Sequence, residues 1–223
     1  MKLPLSNRLL ACCAFVHPGD RVADIGCDHG YLGIHLLQSA IASSVIASDV
    51  NGMPLQSALH NAEKYGVKDK MAFFLSDGVC SIPRDFDVLV CAGMGADTMM
   101  SILDAAPWLK DRRYRLILQC QSKRPELRRY LYENGYAILR ETLAQDGKFI
   151  YPVMEVIHSP GGKLTDDQYH ITPALLASGS ELLPAFLDRV IDGMQQSVDG
   201  LSRAGGEKYE EYKAILEELK KLR

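Results

Sequence analysis

The chain has 223 residues, 47% of them hydrophobic and 24% charged, with a formal net charge of −3. These are the fractions of a globular chain with ample length for a buried core, expected as one domain plus an appendage. They exclude a globally basic nucleic-acid binder, and no apolar run approaches the roughly 18 residues of a membrane span.

The start, Met1-Lys-Leu-Pro-Leu-Ser-Asn-Arg8, carries no signal-peptide core, so the expected location is the cytoplasm. A first helix is predicted over 6–16. Strand-like runs follow at 21–25, 45–49, 71–75, 87–91, 115–119, 136–143 and 149–157, with helical patterns near 29–42, 53–65, 94–106 and 124–134 between them. Such alternation predicts an α/β chain: a parallel sheet covered on both faces. Only Gln145-Asp-Gly-Lys148 separates the last two strands, a hairpin signal, so the last strand should run antiparallel.

Ser159-Pro-Gly-Gly162 marks a boundary, which divides the chain into 1–158 and 159–223. Beyond it Leu182, Leu183, Phe186, Leu187, Val190, Ile191, Met194, Val198 and Leu201 recur at spacings of three and four. Ala204-Gly-Gly206 interrupts, and Tyr209, Tyr212, Ile215, Leu216, Leu219 and Leu222 resume the stripe. The pattern predicts a coiled-coil-like helical hairpin, its first helix starting near Ser180 so that Pro184 falls in the first turn. The stripe is read as packing of the two helices on each other rather than as a cofactor or membrane surface.

Chemistry concentrates where the strands end, because ligands of an open parallel sheet bind beyond the carboxyl ends of its strands. The first strand runs into Asp24-Ile-Gly-Cys-Asp-His-Gly30: a buried strand ending in a carboxylate, a tight glycine turn, then a helix whose first N–H groups face the ligand. The spacing Asp-x-Gly-x-Asp-x-Gly is not the Gly-x-Gly-x-x-Gly of dinucleotide binders, which weakens a dehydrogenase reading. The second strand ends at Asp49-Val-Asn51, an acid 25 residues after Asp24 and suited to a ribose diol. The third ends at Ser76-Asp77-Gly78, suited to the exocyclic amine of adenine, and the fourth at Cys91-Ala-Gly-Met-Gly95, expected as a small-residue turn beside the reacting centre. The fifth ends at Gln119. One strand-terminal Asp is commonly only a cap or turn residue, whereas three in order are far more specific.

Six cysteines, at 12, 13, 27, 80, 91 and 120, make no Cys-x-x-Cys pair and are expected as reduced thiols. A catalytic cysteine is the disfavoured alternative, Cys120 being the one nearest a predicted strand end. The histidines show no metal-ligand spacing, so no metal is expected. Charge is local: residues 1–160 carry 17 acids and 17 bases, whereas 161–223 carry 11 and 8. Lys110, Arg112, Arg113 and Arg115 precede the fifth strand; Lys123, Arg124, Arg128 and Arg129 follow it. Such clusters are usually solvated surface, but two flanking one strand suggest a phosphate track. Lys64, Lys68 and Lys70 form a further group, and Lys208, Lys213, Lys220 and Lys221 are candidate phosphate contacts on the hairpin.

The first motif resembles that of class I S-adenosylmethionine-dependent methyltransferases. The full pattern resembles the bacterial tRNA (adenine 22, N1)-methyltransferases, a likeness carried by Leu5-Ser-Asn-Arg-Leu9, Ala23-Asp-Ile-Gly-Cys-Asp-His-Gly-Tyr-Leu32, Asp49-Val-Asn-Gly-Met-Pro-Leu55, Asp77-Gly78, Ala92-Gly-Met-Gly95, Leu116-Ile-Leu-Gln119 and Asn134-Gly-Tyr136. It spans nearly the whole chain. The chain departs from the family pattern at Ala96, at Cys120-Gln-Ser122 and at Phe149-Ile-Tyr-Pro152, which bear on the target-base pocket and not on the cofactor site.

The resemblance implies a Rossmann-like doubly wound methyltransferase sheet with a late antiparallel strand, S-adenosylmethionine as cofactor and tRNA as partner. Arg8, Asp24, Gly26, Asp28, His29, Gly30, Asp49, Val50, Asp77, Gly78, Ala92 and Gly93 would bind the cofactor, Arg8 through its methionine carboxylate. Ala92, Gly93, Met94, Tyr31 and His29 would position the adenine without a general base. Arg112, Arg113, Lys123, Arg124, Arg128 and Arg129 would meet the tRNA. A monomer is expected, with no membrane and no metal. A small-molecule methyltransferase, or a non-catalytic cofactor-binding adaptor, are the alternatives.

Overall fold

The computed structural model describes residues 3–203 and 205–223. Strands β1 (Arg21–Ile25), β2 (Ser44–Asp49), β3 (Met71–Leu75), β4 (Val88–Met94), β5 (Arg115–Cys120), β6 (Tyr136–Asp146) and β7 (Phe149–His158) make one sheet, ordered β3-β2-β1-β4-β5-β7-β6. The first five run parallel, and β7 is antiparallel to both β5 and β6. Helices α1 (Asn7–Cys13), α2 (Tyr31–Gln38), α3 (Gly52–Lys64), α4 (Ala96–Asp104) and α5 (Arg124–Glu133) cover it.

Alternation along the central strands explains the two covers. On β4 and β5, Leu89, Cys91, Leu116 and Leu118 face one core, shared with Met99, Leu103, Leu127 and Leu131 of α4 and α5. Val88, Val90 and Ile117 face the other, shared with Cys12, Leu32, Leu36, Ala58 and Ala62 of α1, α2 and α3. Strands buried on both faces read as continuous apolar runs, which is how these were recognised.

The predicted strands are all present, with shifted ends. α1 is shorter than predicted, and Phe15 and Val16 pack into the core after it ends. β4 runs through Ala92-Gly-Met94, where a turn was expected; a bulge between Ala92 and Met94 breaks its register with β5. Gly93, at φ +86°, takes that irregularity, so the small residues end a strand rather than form a loop. β6 and β7 meet through Gly147 and Lys148 alone.

After β7 come a short α6 (Pro173–Leu176) and a single 3-10 turn at Asp167–Tyr169, neither of which the sequence pattern signalled. The long pair α7 (Leu183–Leu201) and α8 (Glu207–Lys220) follows, with Pro184 in the first turn of α7 as expected. Ala204, in the predicted break between them, lies outside the described residues, as do Met1 and Lys2 of the predicted start. The stripe packs largely as read: Phe186, Leu187, Ile191, Met194 and Val198 meet Ile215, Leu216 and Leu219, and this layer also covers Leu143 and Ile150 of the β6–β7 hairpin. Leu201 and Leu222 are the exceptions: neither joins this layer, and Leu222 stays 38% exposed. None of the described helices is long and apolar enough to cross a membrane.

One buried polar contact ties these layers together. Arg128 on α5 is 1% exposed. It pairs with the buried carboxylate of Glu141 on β6 and donates to the carbonyls of Tyr169 (3.0 Å) and His170 (2.7 Å). Glu141 in turn accepts the hydroxyl of Thr172, which caps α6. Replacing Arg128 by Met strands a buried carboxylate and two carbonyls, so denaturant unfolding should show a loss of about 3–5 kcal/mol, partly restored when Glu141→Gln is added. A loss below about 1 kcal/mol would make the pair dispensable.

Candidate cofactor and target-base site

The first loop is suspended from the end of β2. Gly26 and Cys27 donate their N–H groups to the carbonyl of Ser48, at 2.8 and 2.9 Å. The carboxylate of Asp49 then receives the N–H of Asp28 (3.2 Å) and of Asn51 (2.9 Å). Asp28 itself sits at φ +49°, a left-handed position that an Asp tolerates better than most residues. Gly26, at φ +70°, has no such latitude: a Cβ there would fall inside the terminal methyl of Met94.

A cleft of about 230 Å³ opens above this loop. Of the expected residues it brings together Arg8, Asp24, Gly26, Asp28, His29, Tyr31, Ala92, Gly93 and Met94. Leu9, Cys27 and Leu32 also line it; all three lie in the quoted motifs but were not singled out as site residues. Gly30 lies just behind, beginning α2, while Asp49, Val50, Asp77 and Gly78 stand at the neighbouring strand ends outside the cleft proper. Val50 is 62% exposed, an apolar side chain held free at the end of β2.

Asp24 is the group most altered by its surroundings. Its side chain is buried, and its Oδ2 has no hydrogen-bond partner among the described residues. Burial, with the negative charge of Asp49 second, pushes its pKa up to about 7, while a hydrogen bond from the Gly33 backbone works the other way. Among the described residues no cation pairs with this carboxylate.

Arg8 reaches the cleft from α1. Its Nη1 donates to Gln119 Oε1 (3.0 Å), and its Nε lies 3.8 Å from Asp146. The same Asp146 carboxylate accepts the backbone N–H groups of Asn7 (2.8 Å) and Arg8 (3.3 Å), capping α1 from the tip of the β6–β7 hairpin. Sequence reasoning missed this clamp, because nothing local links positions so far apart in the chain. Gln119 is fully buried, and its Nε2 has no partner among the described residues.

Tyr31 and His29 form the rim. Their rings are 5.8 Å apart, and Tyr31 also meets Tyr65 edge-on. Cys120 has no catalytic character: it is buried, its thiol donates to the Ser122 carbonyl, and burial raises its pKa. All six cysteines are free. Among the described residues no group of three or more His, Cys, Asp or Glu could hold a metal ion.

The basic residues separate. Arg128 is committed to the buried pair with Glu141, so the phosphate contact expected of it gives way to a structural role. Arg129 pairs with Asp166 (2.8 Å) and lies over Tyr169, and Lys123 pairs with Asp97 (2.7 Å). Arg112 and Arg113 precede β5, at the amino end of a strand that spans about 20 Å, so they lie at the sheet edge away from the cleft. Arg124, at the start of α5, stands on the cleft's side of the sheet and pairs with no carboxylate among the described residues.

Residues 5–154 match a protein family described as "Methyltransferase domain". Sheet order, strand-end acids and glycine loop thus define a class I methyltransferase. A putative tRNA methyltransferase of Mycoplasma genitalium is 33% identical over 160 residues, covering 70% of each chain. The crystal structure of the m1A22 tRNA methyltransferase of Bacillus subtilis superposes with TM-score 0.86 at 26% identity, covering 99% of both chains. A putative tRNA (m1A22) methyltransferase of Streptococcus pneumoniae, solved with S-adenosyl-L-methionine, gives TM-score 0.80 at 26% identity over 98% of this chain and 99% of that one. This chain belongs to the family of bacterial tRNA (adenine-22, N1)-methyltransferases.

Asp49 holds the Asp28 turn, and the expectation that it also serves the cofactor's ribose is open to a direct test. Asp49→Ala should weaken S-adenosylmethionine binding by about 1–3 kcal/mol in calorimetry. Unchanged affinity in a folded variant would remove Asp49 from the site.

Proposed function

We propose that the chain transfers the methyl group of S-adenosylmethionine to N1 of an adenine in tRNA, adenine 22, and that the cleft above the Gly26 turn is where this happens. The observation that carries the reading is the carboxylate of Asp24, unpartnered at Oδ2 among the described residues, beneath a turn that Gly26 enters at φ +70°. That environment fits the cofactor's ammonium group. Arg8 and the orphaned amide of Gln119 are two donors suited to its carboxylate. Asp49 would take the ribose hydroxyls, while Val50 would lie against the adenine ring and Asp77 accept its amine.

The bound cofactor supplies a methyl group already activated on a sulfonium sulfur. Adenine N1 brings its own lone pair at neutral pH, so this chain needs no general base and its work is alignment and exclusion of water. N1 lies on the pairing edge, so the base must leave its stack to reach the cleft. The Met94 carbonyl is already engaged by the N–H of Gln121 (2.9 Å), so the adenine amine falls to the Ala92–Gly93 backbone. Tyr31 and His29 form the aromatic rim against which the base would rest.

Residues 1–158 would then be the catalytic domain, with 159–223 an added layer that contributes surface for the tRNA. Lys123 and Arg124, on the cleft's side of the sheet, are the basic residues best placed for phosphates near the target. The substrate would place the protein in the cytoplasm. Incubation of tRNA with methyl-deuterated cofactor, followed by nucleoside mass spectrometry, should put the heavy methyl in N1-methyladenosine. The label should be lost when adenine 22 is changed to guanine. Label in another nucleoside, or none, overturns the reading. Arg112→Gln with Arg113→Gln should change tRNA affinity by less than about twofold, since each rim or distant charge contributes little; a large loss would move the tRNA to the other edge of the sheet.

A further inference from the structure

Beside the cleft lies a second hollow of about 290 Å³, bounded by the β5–α5 turn, the β6–β7 hairpin and α7. We propose that it receives the nucleotide next to the extruded adenine, with its phosphate on Arg124 and Arg189 and its base against Phe149 and Tyr151. The inference rests on the tRNA reading above and adds a place and a chemistry for the strand that flanks the target.

Position supports it first. Gln121 lines the hollow, and its Nε2 lies 3.6 Å from where a Cβ on Gly93 would sit, so the hollow and the reacting centre share a wall. An adenine drawn into the cleft would lead its neighbour there.

Charge supports it next. No carboxylate lines the hollow. Arg124 donates no side-chain hydrogen bond and makes no ion pair among the described residues; its guanidinium lies 5.3 Å from the ring centroid of Phe186. Burial and the nearby Arg128 both disfavour its charge, a penalty that an anion between the arginines would relieve. Arg189 spends one N–H on the Lys148 carbonyl (2.6 Å) and keeps the others for a second acceptor.

The aromatic pair supplies the remaining part. Phe149 is 54% exposed at the start of β7, where the fold gives it nothing to cover. Tyr151 stands two residues on, on the same face, with ring centroids 6.1 Å apart and planes tilted by 39°. The Lys148 ammonium lies 5.3 Å above the Phe149 ring. Exposed aromatics interleaved with cations are the arrangement that holds unpaired nucleotides, through stacking and phosphate contacts together. A hollow this small takes one splayed nucleotide and not a paired stem.

The test uses the full chain and its tRNA, with affinity measured over a salt series and cofactor affinity measured separately. Arg124→Gln and Arg189→Gln should each weaken tRNA binding about tenfold and lower the salt slope by about one. Phe149→Leu, an exposed position that cannot disturb the core, should weaken binding about tenfold with the slope unchanged. Cofactor affinity should stay at the wild-type value in all three. If Arg124→Gln fails to fold for want of its packing on Phe186, the other two variants decide. Binding within twofold of wild type, with the wild-type slope, in Arg189→Gln and Phe149→Leu would overturn the proposal while wild-type methylation of tRNA left the function standing. A wild-type protein that neither binds nor methylates tRNA would overturn both, and capture of a peptide but not tRNA on this face would do the same.

Discussion

Asp24 is a charge that the protein leaves unanswered. Its carboxylate lies under the first loop, one oxygen without a partner, with Asp49 as its nearest like-charged neighbour. Burial raises its pKa from the ordinary 3.8 to about 7, a cost on the order of 4 kcal/mol for the ionised form. The fold would be more stable with an apolar residue there. A group held at such cost at the floor of a cleft fits a site that its ligand completes, and the proposed ligand brings a cation. The sign is definite: because the folded pKa is raised, the penalty begins as pH rises past about 4 and is complete above about 7, where it falls wholly on the ligand-free protein.

The remaining architecture supports that carboxylate and closes over it. Asp49 secures the loop from β2, and Asp146 secures α1 from the hairpin tip, so the arginine of α1 enters the cleft from a helix whose first turn is capped by a distant strand. The same hairpin carries Lys148, whose carbonyl takes Arg189 of α7, and Phe149 beside it. Cofactor cleft, hairpin and helical pair are therefore joined through one two-residue turn. The buried Arg128–Glu141 pair holds the other side of this junction, between α5, β6 and the segment before α7.

Much of this was legible in the sequence because it follows from short-range pattern. The apolar runs of β1, β2, β4 and β5 are buried on both faces and therefore continuous. The three acids were legible because each follows an apolar run at or near the carboxyl end of its strand. The helical stripe from Phe186 to Leu219 is periodic, and its packing followed the period. What could not be read are contacts made across the sheet. Nothing near Asp146 announces that it caps α1, and the run of bases from Lys123 to Arg129 looks uniform although Arg128 is buried and Arg129 is paired. The bulge at Gly93 was hidden for a different reason: glycines signal a turn and a strand irregularity with equal force. Alpha6 and the 3-10 turn before it are too short to show any period.

The account turns on whether the cation of the ligand meets an acid that is protonated in the free protein. Isothermal titration of the full chain with S-adenosylmethionine, repeated at pH 6 in buffers of different ionisation enthalpy, counts the protons exchanged. With Asp24 at about 7 in the free protein, the account predicts release of most of one proton per cofactor at pH 6 and less as the pH rises toward 8. A binding enthalpy that is independent of the buffer at pH 6 would contradict it.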